Sequence, residues 1–362
     1  MSRYLVTGGL GVIGSHIAGR LISAGHDVQI IDCGGGARHL FNGKAIDASG
    51  SSQMIKGCFV RLEEMPTEDL ADLVDKADFV IHAAAHTGIP HSVTDPHDDW
   101  QSNVDATRNL LEALRIAPTP TVVLSSVKPY RVLCEAPCLA CNGSKSSGSS
   151  YLGHGGGPCP ECRGLGYRGL REEDPLDPDE PYAASKAAQS MLCVAYARSY
   201  KVPVVTLRCS NLYGPAACHG PRHGWVTWFC IAAAIGHPIA IQGDGEQTRD
   251  ILHATDVHDA CRRSLLMAGE LRGRIFNIGG GHINRVSVRS VISQLQTLGA
   301  DLKTVDAEAR RLDDRHVFAD HGAFTRATGW TPTVSAAHGV REVYRWAVAN
   351  ANALRTIYQD AT

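Results

Sequence analysis

The stretch Tyr4-Leu-Val-Thr-Gly-Gly-Leu-Gly-Val-Ile-Gly14 constrains the fold more than any other part of the chain. A short apolar run meets three spaced glycines, Gly8, Gly11 and Gly14, and the following HIAGRLISAG has helical spacing up to Gly25. A strand that enters a helix through such a turn leaves backbone N–H groups and a partial positive charge at the helix start. Glycine lets the chain turn sharply, approach a pyrophosphate and pack helix on strand. The next apolar run, DVQIID, ends on Asp32, where a carboxylate can bind the ribose hydroxyls of an adenosine and would repel a 2′-phosphate. The first basic residue beyond it is Arg38, so NAD is favoured over NADP.

The same alternation continues. ADFVIHAAA, PTVVLSS and VPVVTLR read as strands, and VDATRNLLEALRIA and PYAASKAAQSMLCVAYARSY as helices, the first stopped by Pro118 and the second opened by Pro181. Strands alternating with helices predict an α/β fold with a doubly wound parallel sheet covered on both faces. The expected division is a nucleotide-binding domain over 1–208, interrupted by an insertion at 134–170, and a smaller substrate lobe over 209–362 that returns to the first domain near 250–262. A chain of 362 residues suits that size. The formal net charge of -2, with no Lys/Arg run, gives no expectation of a nucleic-acid partner. No apolar stretch is long enough to span a membrane. No leader precedes Tyr4, so the expected compartment is the reducing cytoplasm, and the twelve cysteines are read as metal ligands or buried thiols.

Tyr182-Ala-Ala-Ser-Lys186 sets a phenol and an ammonium one helical turn apart on one face. A lysine beside a tyrosine favours the phenolate, which makes Tyr182 a candidate base near neutral pH. A serine candidate stands upstream in LSSVKPY.

With these motifs in order, and with DFVIHAAA, NVDATRNLLEA, LRCSNLYGP, GDGEQTRDILHATDV, FNIGGG and TGWTP beside them, the chain resembles the extended short-chain dehydrogenase/reductase family, in particular its nucleotide-sugar epimerases and dehydratases. The resemblance covers nearly everything except the insertion. It implies a Rossmann fold, a bound NAD, and a homodimer built on the helices that begin near Val104 and Tyr182. By its pattern Tyr182 is the general base, Lys186 holds the nicotinamide ribose, and Ser126, four residues before Tyr130, hydrogen-bonds the substrate hydroxyl. Asn103 matches an asparagine beside the active site and the cofactor, Asn211 and Arg249 match positions that hold the sugar diphosphate, and Asp314 a position on the nucleoside ribose. Two departures stand out. Cys58 replaces an aspartate that contacts adenine. Val127 and Lys128 replace the Asp-Glu pair of the dehydratases, which removes the acid and base needed to eliminate water and favours 4-epimerisation. A 4,6-dehydratase or other nucleotide-sugar oxidoreductase, and an inactive scaffold or redox sensor, are the alternatives.

The stretch from Ser126 to Tyr182 is roughly twice as long as in the enzymes resembled. The excess holds Cys138-x2-Cys141, 17 residues, then Cys159-x2-Cys162, with glycine close behind each pair. This is the ligand spacing of a closed tetrahedral zinc site. The halves are similar to the repeats of the DnaJ-type chaperone zinc domain, from which only metal binding is carried over. Free thiols or a redox disulfide pair are the bland readings, and Cys134 and His154 are substitute ligands. Cys33, Cys193, Cys209, Cys230 and Cys261 are expected to be packing residues and His82 a core histidine. His219 and His223 flank GPRHGW near the expected substrate lobe.

Overall fold

The computed structural model describes residues 1–33, 44–46, 52–54, 56–130, 169–215, 224–309, 314 and 316–358, with the backbone path alone for 44–46, 52–54 and 56–59. Cys134, Cys138, Cys141, His154, Cys159, Cys162, His219, His223 and the side chain of Cys58 lie outside the described residues.

Seven strands form one sheet. From edge to edge they are Ile275–Ile278, Val204–Cys209, Thr121–Ser126, Phe79–His82, Arg3–Thr7, Asp27–Asp32 and Lys56–Phe59, and every neighbouring pair is parallel. Chain order reverses between Arg3–Thr7 and Phe79–His82, the switch point outside which such sheets bind ligands. Their near-continuous apolar runs suit strands covered on both faces. One face is closed by the helices Val12–Ser23 and Ala254–Leu266, which pack on each other over Ile17, Leu21, Val257 and Cys261. The other is closed by Thr67–Asp75, Ala106–Ile116 and Pro181–Tyr200. Leu110, Leu111 and Leu114 are fully buried there.

A second core gathers around the helix Trp225–Ile235, which is apolar nearly all round and is packed by Ala336–Ala349, Ala351–Tyr358 and Val288–Thr297. The strands Asn211–Tyr213, Thr248–His253, Arg285–Ser287 and His316–Val317 form a small sheet between the two cores.

Where the chain leaves the main sheet at Tyr130, its end is anchored. Tyr130 bridges to Leu176, and Leu170 bridges to Ala319, so the stretch 169–177 returns along the outgoing chain and the 316–319 segment. Val127, Tyr130, Leu170 and Ala319 make a small apolar cluster of their own.

Candidate active site

The glycine turn is dictated by space. Gly8 has φ +67°, and a Cβ there would lie 2.5 Å from the Ala84 backbone. A Cβ on Gly14 would lie 2.1 Å from the carbonyl oxygen of Gly8. Gly11 precedes the helix Val12–Ser23, and among the described residues no side chain caps that helix start. Among those residues a Cβ on Gly11 would meet nothing within 4 Å but the Gly8 oxygen, so they leave the ground above the helix start clear. Asp32 is buried, and its Oδ2 accepts the Leu10 amide at 2.9 Å, which ties the carboxylate to the turn. An uncapped helix start, a cleared backbone and a fixed carboxylate fit the diphosphate and ribose of a dinucleotide.

The helix Pro181–Tyr200 starts on a firm cap. Glu180 accepts the Tyr182 amide at 2.8 Å and the Ala183 amide at 3.0 Å, and it also takes a hydrogen bond from Ser92 at 3.2 Å. Tyr182 is thereby fixed opposite the end of Thr121–Ser126. Alternation on that strand turns Ser126 to the cavity, while Ser125 is buried and bonded to Ser190 and the Lys186 carbonyl. Burial pushes the Tyr182 phenol well above its ordinary value, and a hydrogen bond with Ser126 pulls it back in part. This differs from the phenolate expected from the Tyr182–Lys186 spacing, because loss of water on burial dominates.

Lys186 is 2% exposed, and burial lowers its ammonium to about 8, with Cys209 and Asp99 opposing the drop. It donates to Gln189 Oε1 at 3.0 Å. From there the network runs through Gln189 Nε2 to Thr107 at 2.9 Å, from Thr107 to His82 at 2.9 Å, and from His82 to Thr7 at 2.7 Å, next to the glycine turn. Burial and the Lys186 charge hold His82 neutral, at about 3. Asn103 lies in a single π-helical turn, Gln101–Asp105, a feature often found at functional sites. Its amide group accepts the His86 amide at 2.9 Å and donates to the His86 carbonyl at 3.1 Å and to Ser185 at 3.0 Å. Ser185 in turn donates to buried Asp99 at 2.6 Å.

Ser126, Tyr182, Asn211, Arg249 and Asp314 share one cavity of about 460 Å³ between the sheet edge and the second core. Lys186 and Asn103 stand behind its wall. Trp225, Trp228 and Phe229 supply an apolar side, and Lys128 reaches in beside Ser126. Asp314 is the one carboxylate among the described lining residues, and it sits 3.4 Å from Lys128 Nζ, which also meets Asp179 at 3.3 Å.

A family model described as the NAD dependent epimerase/dehydratase family matches residues 4–140 and 161–279. The chain belongs to this family. The break at 141–160 falls inside the cysteine-bearing stretch. CDP-paratose 2-epimerase of Salmonella typhi is 29% identical over 360 residues, covering 95% of this chain and 98% of that protein. dTDP-glucose 4,6-dehydratase of an Actinoplanes species is 30% identical over 362 residues, covering 96% and 98%. The Thermus thermophilus UDP-glucose 4-epimerase, solved in complex with NAD, superposes with a TM-score of 0.71 at 27% identity, covering 95% of this chain and 98% of that one. Epimerases and dehydratases thus stand at similar distances from this chain.

Some of the family site was not visible in the linear pattern. Asp99, Glu180, Gln189 and Thr107 are polar residues on helices, and only the fold brings them together. Glu180 before Pro181 is the exception, since a carboxylate just ahead of a proline-opened helix is a local capping signal. One thiol differs from expectation: Cys33 is exposed just past Asp32, whereas Cys209 is buried in the main core and also borders the cavity. Cys193, Cys230, Cys261 and His82 are buried.

Proposed function

We propose that this chain is an NAD-dependent epimerase that inverts C4 of a hexose carried on a nucleoside diphosphate. One observation carries the choice over dehydration: the cavity beside Ser126 and Tyr182 is walled by Val127 and Lys128, and its one described carboxylate is held by that lysine. Eliminating water from the sugar requires an acid and a base beyond the Tyr182 pair, and among the described residues neither stands free at that wall.

Gly8, Gly11, Gly14 and Asp32 would hold NAD, with Lys186 and Tyr182 on its nicotinamide ribose. When bound, it would supply a reversible acceptor for the hydride of the sugar carbon. Ser126 and Tyr182 hold the reacting hydroxyl between them. Tyr182 takes the proton at its phenol oxygen and later returns it. Lys186, charged below about pH 8, would lower the cost of the phenolate that burial of Tyr182 opposes. Asn103 positions the 83–88 segment, with no direct role in chemistry. Asn211 and Arg249 hold the diphosphate and Asp314 the nucleoside ribose, while the cavity leaves the 4-keto sugar room to present its other face. Incubation of the purified protein with UDP-, dTDP-, GDP- and CDP-hexoses, followed by chromatography, tests this. A pair of 4-epimers is expected. A 4-keto-6-deoxy product would select the dehydratase, and absence of both turnover and bound nucleotide would select the scaffold.

The division into a 1–208 domain and a mainly substrate-binding 209–362 lobe, with segments that return to the first domain near 250–262 and again at Ile275–Ile278, and a cytoplasmic location, belong to the same reading; five free thiols among the described cysteines suit a reducing compartment. A homodimer through the helices starting near Val104 and Tyr182 is supported by Met191, 47% exposed on the second of them, although Leu110, Leu111 and Leu114 of the first face their own core. Light scattering showing a monomer at micromolar concentration would oppose it. Cys138, Cys141, Cys159 and Cys162 are proposed to bind a structural zinc in an insertion that frames the cavity. Their spacing supports this, as does the anchoring of both ends of the stretch at Tyr130 and 169–177, beside the cavity wall. Elemental analysis finding no zinc in protein kept from chelators would refute it.

A further inference from the structure

A separate cluster lies on the sheet-edge side of the cavity, outside the machinery above. We propose that His86, His91 and Asp98 form a divalent-cation site that clamps the 83–100 segment. Their donor atoms all lie within 4.8 Å of one another. Each comes from a different piece of chain: His86 from the stretch after Phe79–His82, His91 from the helix Ile89–Thr94, and Asp98 from the helix Pro96–Trp100.

The surroundings are those of held ligands. Asn103 fixes both backbone groups of His86. Asp95 caps the helix of Asp98 by accepting its amide at 3.0 Å. Arg61 takes Asp98 Oδ1 at 2.7 Å, leaving Oδ2 to face His91 Nε2 at 3.3 Å. Behind His86 stands the buried carboxylate of Asp99, its Oδ1 3.7 Å from Nδ1, beyond hydrogen-bond distance but close enough for its charge to favour a cation beside the ring. The two imidazoles are 4.1 Å apart between centroids and tilted by 33°. Nitrogens bonded to one tetrahedral ion at about 2.0–2.1 Å are about 3.3–3.4 Å apart, so small side-chain rotations would close the set.

Two imidazoles and one carboxylate suit zinc, cobalt or nickel rather than magnesium or calcium, which prefer oxygen alone. Three protein ligands leave a position for water. The cluster is open to solvent, with side-chain exposures of 22%, 37% and 27%. It borders the working surfaces: Ala84 lies against Gly8, and Thr87 and Ile89 line the cavity. A bound ion would stiffen that wall, and it takes no part in proton transfer. The plain competitor is a stacked histidine pair with one hydrogen bond to Asp98 and no ion.

Calorimetric titration of the full chain with cobalt(II), read in parallel by absorbance, separates the two. Cobalt bound to cysteines shows strong thiolate charge-transfer bands, and cobalt bound to nitrogen and oxygen lacks them. The expected result is one site per chain without those bands, weakened at least about tenfold in both His91→Gln and Asp98→Asn. Equal binding in the wild type and both variants would overturn the proposal. So would thiolate bands accounting for every bound cobalt.

Discussion

Lys186 and Arg208 are both buried to 2% exposure, and Ser190 connects them, donating to the Lys186 backbone carbonyl and accepting from Arg208 Nε. They solve the problem of a buried cation differently. Lys186 has a neutral acceptor in Gln189 and is pulled down to about 8. Arg208 donates to the Tyr130 hydroxyl at 2.7 Å and lies 4.8 Å from that ring's centroid, while its Nη2 has no hydrogen-bond partner among the described residues. A guanidinium does not give up its proton in a protein. The cation that can titrate stands behind the wall of the cavity. The one that cannot binds the strand Val204–Cys209 to the wall where the cysteine-bearing stretch departs.

The comparison breaks first at the base. Tyr182→Phe keeps the shape and removes the proton acceptor, and Lys186→Met removes the titratable charge. Both variants should fold, and turnover should fall about 10²–10⁴-fold by product chromatography. Near-normal rates in Tyr182→Phe would end the proposed mechanism.

A smaller effect should appear with pH. Turnover is expected to fall about tenfold per pH unit above about 8, as Lys186 loses its proton. Stability should move the other way. An amine whose folded value lies below its unfolded one imposes its full burial cost below about pH 8, and that cost fades as pH rises toward the unfolded value. Gln189→Glu should carry the alkaline fall upward and Gln189→Leu downward, read as midpoints of the pH–rate curve and of a ¹³Cε-lysine NMR titration. Unmoved midpoints would deny Gln189 its hold on Lys186.

Arg208→Met should touch stability alone. Loss of the bond to Tyr130 and of the ring contact is expected to cost about 1–3 kcal/mol in denaturant unfolding, with turnover per folded molecule within a few-fold of wild type. Lost turnover at unchanged stability would reverse the roles assigned to the two cations. The smallest effect is expected from joining Tyr130 to Gly169 by a short Gly/Ser linker. Bound nucleotide should persist while the KM for the sugar rises; unchanged kinetics would leave the cysteine-bearing stretch as a docking surface.

The nucleotide end was legible because its requirements are local. Gly8, Gly14 and Asp32 lie within one strand–turn–helix–strand, and each answers to space or charge inside it. Tyr182 and Lys186 were legible as a spacing, and Ser126 through the resemblance. Their electrostatics were not, since the water removed from Tyr182 is displaced by residues from distant parts of the chain. Gln189, Thr107, Asp99 and Glu180 stayed hidden for the same reason: a polar residue on a helix looks alike in sequence whether it faces solvent or Lys186. Asp314 was placed on the cavity by resemblance, but its contact with Lys128 could not be read, because the two stand far apart in the chain and meet only through folding.

The late arrival of Ile275–Ile278 in the sheet has a consequence for the chain while it is being made. Until that strand emerges from the ribosome, Val204–Cys209 has one open edge. The wait is roughly 65 residues, several seconds at ~5–20 residues per second. Val204, Val205 and Leu207 are fully buried in the finished protein, and no proline interrupts the strand. An open edge of that composition is what nascent chains use to pair with one another. The interval most exposed to aggregation therefore belongs to synthesis, and a holdase acting on chains halted between residues 210 and 275 should raise the soluble yield more than one added after release.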